Sequence, residues 1–110
     1  CEVTLYNRSH TRLARLASRF PIVTRTAATP EEAVQGATLV VNASAAGLED
    51  DRFPVPIETL PFDAAVVDLV YRLGETPWVR AAPSPPAPSH PPPAACGNHL
   101  TCQALLLSLP

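Results

Sequence analysis

The segment Thr38-Leu39-Val40-Val41-Asn42 is apolar on both faces, which constrains the fold more than any other stretch of the chain. A strand buried on both sides needs helices on both sides, and that is the setting of a parallel sheet in an α/β protein. Ala64-Ala65-Val66-Val67-Asp68-Leu69-Val70-Tyr71 reads as a second buried strand, and Cys1 to Tyr6 has the β-branched and aromatic content of a third.

Helical patterns separate these runs. Leu13, Leu16, Ala17 and Phe20 recur at helical spacing and predict a helix over 10–20, with Ser9 as its N-cap. A short strand over 22–24 is expected next. Thr29-Pro30-Glu31-Glu32 reads as a capping box: Thr29 is the N-cap, Pro30 takes the first helical position and Glu32 reaches back. That helix is short and ends near Gly36. Thr76 is placed to cap a last helix through Trp78, Val79 and Ala82. Strands alternating with helices over such short connections predict an α/β unit built on a parallel sheet.

Ligands of parallel sheets bind beyond the carboxyl ends of the strands. Three polar clusters fall at such ends: Asn7-Arg8, Asn42-Ala43-Ser44, and Asp68 to Tyr71. Arg8 is expected at a strand end and Arg12 in the first helical turn, where both guanidinium groups can meet one anion beside the backbone donors of a helix N-terminus. At this position of a dinucleotide-binding sheet an acidic side chain selects NAD, whereas Arg accommodates the extra phosphate of NADP. The plainer alternative is a solvated helix that Arg12, Arg15 and Arg19 keep soluble. Plainer readings exist for the other clusters too: Asn42 starts a turn, Gly47 supplies a positive φ, Asp68 is a solvated strand residue and Tyr71 lies at a core edge.

Composition narrows the chemistry. The 110 residues hold one small domain or part of a larger one, and a net charge of −2 with a pI of about 5.8 makes no general case for a nucleic-acid partner. All eight basic residues in the Lys+Arg total are Arg, so a mechanism that needs a lysine base is not completed by these residues. The three cysteines, Cys1, Cys96 and Cys102, have no metal-type pairing and read as free thiols. His90 and His99 have no second ligand at metal spacing, so no metal site is expected. No basic-then-apolar leader and no apolar run of about twenty residues is seen, so a cytoplasmic protein with no membrane partner is the default expectation.

Taken in order, Asn7-Arg8-Ser9 with Arg12 and Leu16-Ala17, Leu39-Val40-Val41-Asn42-Ala43-Ser44 with Gly47-Leu48, and Val67-Asp68-Leu69-Val70-Tyr71 with Glu75-Thr76-Pro77 make the chain similar to the shikimate dehydrogenases. The likeness runs over about Cys1 to Ala82. It implies an NADP-dependent oxidoreductase of aromatic amino acid (chorismate) biosynthesis, reducing 3-dehydroshikimate to shikimate, and a partial Rossmann-like doubly wound parallel sheet over 1–82. Asn7 would contact the adenosine ribose, and Arg8, Ser9 and Arg12 would hold the ribose phosphate of NADP. Asn42, Ala43 and Ser44 would line the cofactor path, Leu69 would lie near the nicotinamide and Tyr71 would reach the substrate. The family's glycine-rich phosphate loop and its substrate domain, which supplies a catalytic Lys and Asp, have no counterpart in these residues. The chain therefore reads as a fragment that carries no catalytic residue and is inactive alone; shikimate or 3-dehydroshikimate would bind together with the N-terminal domain. A homodimer is compatible with the resemblance.

Beyond Ala82 come Pro83, Pro85, Pro86, Pro88 and Pro91 to Pro93 among Ser and Ala, which predicts a proline-rich, irregular tail over 83–110. The family would place there a strand and a segment whose Gln meets the substrate, and Gln103 is a weak echo of that residue. Two origins stay open: a proline-rich linker that recruits a partner domain, or a shifted reading frame near Ala82. Two other functions also stay open, a non-catalytic nucleotide-binding or interaction module and the cofactor domain of a glutamyl-tRNA reductase-like enzyme. The Asp68 to Tyr71 segment followed by Thr76-Pro77 argues against the latter.

Overall fold

The computed structural model describes residues 2–21, 24–83 and 105–107. Strands β1 (Val3–Tyr6), β2 (Thr24–Thr26), β3 (Leu39–Ala43), β4 (Ala65–Asp68) and β5 (Leu105–Leu107) form one sheet in the order β2-β1-β5-β3-β4. Every pairing in it is parallel, with Val3 beside Thr24, Leu5 beside Leu105, Val41 beside Leu105 and Asn42 beside Asp68. Helices α1 (His10–Ala17), α2 (Pro30–Val34) and α3 (Pro77–Ala81) connect the strands. The α/β class and parallel sheet expected from the doubly apolar strands are what the chain adopts.

The caps expected from the sequence position the helices. Ser9 accepts the Arg12 amide, Thr29 accepts the Glu32 amide and Thr76 accepts the Val79 amide. Pro30 and Pro77 occupy early helical positions, where a missing N–H costs nothing. Glu32 does reach back, but it accepts the Ala28 amide at 2.8 Å, one residue ahead of the cap.

Three boundaries differ from the sequence reading. Helix α1 stops at Ala17, because Ser18 turns its hydroxyl onto the Arg15 carbonyl and leaves Phe20 outside and exposed. Strand β2 begins at Thr24, with residues 22 and 23 outside the described set. Strand β4 ends at Asp68 and does not run on to Tyr71, since the Asp68 carboxylate accepts the Val70 amide at 3.0 Å and turns the chain.

The core lies on one face of the sheet. Ala33 and Val34 of α2, Val40 of β3, Val55, Leu60, Ala64 and Trp78 of α3 form a single buried cluster, with Tyr6 of β1 packed against it. Helix α1 packs on β1 and β2, and its buried Leu13, like Leu5 of β1, lies outside that cluster. Because successive strand residues alternate faces, Leu5 and Tyr6 point to opposite sides, and α1 covers the side away from α2 and α3.

Within 83–110 the described residues are Pro83 and Leu105–Leu107, and the latter pair with β1 and β3 as the central strand β5. The run is free of proline, and the edges of β1 and β3 offer backbone partners on both sides. Residues 84–104 and 108–110, Gln103 among them, lie outside the described residues.

Candidate functional site

Parallel pairing brings the carboxyl ends of β1, β3 and β4 to one rim, so Asn7-Arg8, Asn42-Ala43-Ser44 and Asp68 to Tyr71 all lie along it. At the β1 end the Asn7 side chain is buried and its Oδ1 accepts the Ser9 amide at 2.8 Å. That bond shapes the short bend from β1 into α1. Arg8 and Arg12 are both exposed on either side of the Ser9 cap. The first turn of α1 holds no acidic residue, whereas that of α2 holds Glu31 and Glu32. Thus the positive end of the α1 dipole is reinforced by two guanidinium groups and its first turn carries no carboxylate, a setting that suits an anion. Arg25, of the same basic cluster, forms an exposed ion pair with Glu2 at 2.7 Å and lies off the rim on β2.

The middle of the rim is a hydrogen-bond network centred on Asn42, which is 0% exposed. Its Oδ1 accepts the Ser44 amide at 3.0 Å and the Ser44 hydroxyl at 2.6 Å. Its Nδ2 donates to the Ala46 carbonyl at 3.2 Å and to Asp68 Oδ1 at 2.9 Å. The Asp68 carboxylate also accepts the Thr76 hydroxyl at 2.6 Å, and Thr76 in turn caps α3. One connected set of side chains therefore ties the β3 exit, the β4 exit and the start of α3. Asn42 thus spends its polar atoms on the protein, and what it offers a ligand is the shape of the backbone from Ala43 to Gly47. Gly47 sits in that loop at φ +87°, a conformation that costs a side-chain-bearing residue but not glycine.

A residue that sequence reasoning missed completes the rim. Arg72 donates to the Gly47 carbonyl at 2.9 Å and lies 3.4 Å from Asp51, latching the loop after β4 onto the loop after β3. No spacing rule connects residues 25 apart in sequence; only the parallel register of β3 with β4 does. Beyond the latch, Leu69 is 62% and Tyr71 97% exposed, so Tyr71 is not a core-edge residue. Asp50, in the loop before the latch, is held below its ordinary pKa of 3.8, chiefly because it accepts the Arg52 amide, with the Arg52 guanidinium adding to the effect.

Both Asp68 oxygens are taken up by Asn42, Val70 and Thr76. Among the described residues no three His, Cys, Asp or Glu gather as a metal site would need, and no helix is long and apolar enough to cross a membrane.

No family model matches the chain, and no solved structure matches it. Curated proteins do. The chain is 44% identical over 82 residues to the shikimate dehydrogenase (NADP(+)) of one strain of Thermus thermophilus, and 42% identical over 82 residues to that of a second strain of the same species. In each case the match covers 74% of this chain and 30% of the relative, so the chain spans under a third of the length of the curated relatives it matches. With a parallel α/β sheet beneath it and this identity across most of its residues, the chain is a partial match to the shikimate dehydrogenases.

Proposed function

We propose that the chain is the NADP-binding part of an NADP-dependent shikimate dehydrogenase, an oxidoreductase that reversibly reduces 3-dehydroshikimate to shikimate. The observation that carries this reading is the N-terminus of α1, whose first turn holds no acidic residue, flanked by Arg8 and Arg12. Such a site meets the 2′-phosphate that distinguishes NADP from NAD, with Arg8 and Arg12 as charge partners and Ser9 as a hydroxyl donor. Asn7 holds the bend that aims them and faces the adenosine ribose. Ala43 and Ser44 present backbone along the cofactor path, on a loop that Asn42 shapes from beneath. When bound, the nicotinamide supplies the hydride; the residues here fix where the ring lies. Leu69 offers apolar surface for the ring, and Tyr71 extends toward a substrate held jointly with a separate substrate domain, where Gln103 would also act. The catalytic acid and base belong to that domain. We place the reaction in cytoplasmic aromatic amino acid biosynthesis, with which a homodimer is compatible.

A non-catalytic interaction module and a glutamyl-tRNA reductase-like cofactor domain are both less favoured, since the relatives matched over 82 residues are named as shikimate dehydrogenases. Titration of the chain with NADP and with NAD, followed by NMR shifts of the amides of residues 8–12 and 43–47, tests the reading. NADP is expected to bind more tightly than NAD, and Arg8→Ala to erase the difference. Equal affinities for the two cofactors, or a preference that survives Arg8→Ala, would overturn it.

A further inference from the structure

The loop that leaves β3 is held differently at its two ends. Its first residues are fixed from beneath by buried Asn42, which accepts the Ser44 amide and hydroxyl and donates to the Ala46 carbonyl. The bonds of Asn42 stop there. Gly47 follows at φ +87°, and Leu48, Glu49 and Asp51 to Phe53 are exposed before the chain re-enters the core at Val55. Glycine has no preference of its own for one sign of φ, so the local chain does not select this conformation. The bond from the Leu48 amide to the Ala45 carbonyl is local to the turn; the contact that ties Gly47 to another element comes from Arg72, whose Nη1 donates to the Gly47 carbonyl at 2.9 Å.

Arg72 reaches that carbonyl from a segment otherwise turned to solvent. Tyr71 and Leu73 on either side of it are fully exposed, whereas the Arg72 side chain is 32% exposed. Holding a long side chain in one arrangement costs rotamer entropy, and an ion pair to the exposed Asp51 offsets little of that cost. The carbonyl bond is therefore the contact that accounts for the placement.

We propose that Arg72 is a positioning residue for the nicotinamide half of the cofactor: through the Gly47 carbonyl it fixes the far end of the loop after β3 against the segment that carries Leu69. This inference rests on the NADP-binding reading above. Asn42 and Asp68 are register partners, so the two loops leave the sheet about 4.8 Å apart, and ligands of such sheets lie in the crevice outside the strand ends. A ring held between the Ala43 to Gly47 backbone and Leu69 gains from walls set before it arrives, because ordering a wall on binding subtracts from affinity. The adenosine half lies elsewhere, since Arg8 and Arg12 follow β1, two places from β3 in the sheet order. The two halves of the cofactor therefore answer to different substitutions.

The test titrates the full chain and its Arg72→Ala and Arg72→Lys variants with NADP and with adenosine 2′,5′-bisphosphate, which keeps the adenosine half and its 2′-phosphate but lacks the nicotinamide half. Affinities are read from the amide shifts of residues 8–12 and 43–47. The parent is expected to bind NADP more tightly than the bisphosphate. Arg72→Ala is expected to lose roughly three- to tenfold in NADP affinity, the worth of one hydrogen bond, and to bind the bisphosphate as the parent does. Arg72→Lys keeps a donor and the charge, and is expected to regain most of the loss. The loss should persist in about 0.5 M NaCl, where attraction between an exposed cation and the cofactor phosphates is screened. A substitution that merely loosens the fold weakens both ligands alike. Equal losses for the two ligands, no loss, a loss that salt abolishes, an Arg72→Lys variant no better than Arg72→Ala, or a parent that binds the two ligands equally would each overturn the proposal. Failure of the underlying reading is recognised separately: the parent then shows no preference for NADP over NAD, and this inference falls with it.

Discussion

Asn42 and Asp68 are register partners on adjacent parallel strands, and the Asn42 amide donates to the Asp68 carboxylate across 2.9 Å. Because Asp68 also receives the Thr76 hydroxyl, removing it strands buried donors on two elements at once. Asp68→Ala is expected to cost about 2–4 kcal/mol, as loss of hydrogen bonds to a charged acceptor predicts. Urea denaturation would measure it, and a loss below about 1 kcal/mol would contradict a structural role for the network.

Thr76 caps α3 and bonds Asp68 through one hydroxyl. Thr76→Ser keeps the hydroxyl that caps α3 and bonds Asp68, so its stability should stay within about 1 kcal/mol of the parent, whereas Thr76→Ala should lose about 1–2 kcal/mol through the cap alone. Equal losses for the two variants would show that the hydroxyl is not what matters.

Gly47 tests backbone against space. A Cβ there would lie no nearer than 3.6 Å to a neighbouring atom, the Arg52 carbonyl oxygen, so no clash opposes Gly47→Ala. The φ of +87° does oppose it, and the expected cost is about 1–2 kcal/mol. A midpoint unchanged in thermal melting would mean the loop relaxes freely to negative φ.

Trp78 is almost wholly buried, and its indole N–H has no hydrogen-bond partner among the described residues. Trp78→Ala should cost about 3–5 kcal/mol by opening a large cavity. Trp78→Phe keeps most of the apolar contact and removes the unpartnered donor, a relief of about 1–3 kcal/mol against the lost volume. The Phe variant should therefore melt well above the Ala variant; coincident melting temperatures would refute this division.

Asp50 provides a check on sign. Its folded pKa lies below 3.8, so its contribution to stability is present above that value and disappears as pH falls through the lowered folded pKa. Asp50→Asn should then lower stability slightly at neutral pH and converge with the parent as pH falls, the effect being small because the side chain is only half-buried and solvent screens the charge. Denaturant midpoints followed from neutral pH down into the acid range would show it.

What could be read from the residues, and what could not, follows the range of the interactions. Ser9, Thr29 and Thr76 announce their helices because a cap acts within three residues, and each caps as expected. The rim was legible because strand ends are legible: Asn7, Asn42 and Asp68 each close an apolar run. Their union was not, since Asn42 reaches Asp68 over 26 positions and Arg72 reaches Gly47 over 25, distances that only the sheet register shortens. Composition averaged over the prolines of 83–110 conceals the three consecutive leucines, Leu105–Leu107, that pair with the edges of β1 and β3.

The Arg72 latch has a mechanical meaning. By bonding to the Gly47 carbonyl it ties the loop after β4, with its exposed Leu69 and Tyr71, to the backbone of the loop after β3. The segment that carries Leu69 and Tyr71 is thereby anchored to the loop after β3 through one guanidinium group.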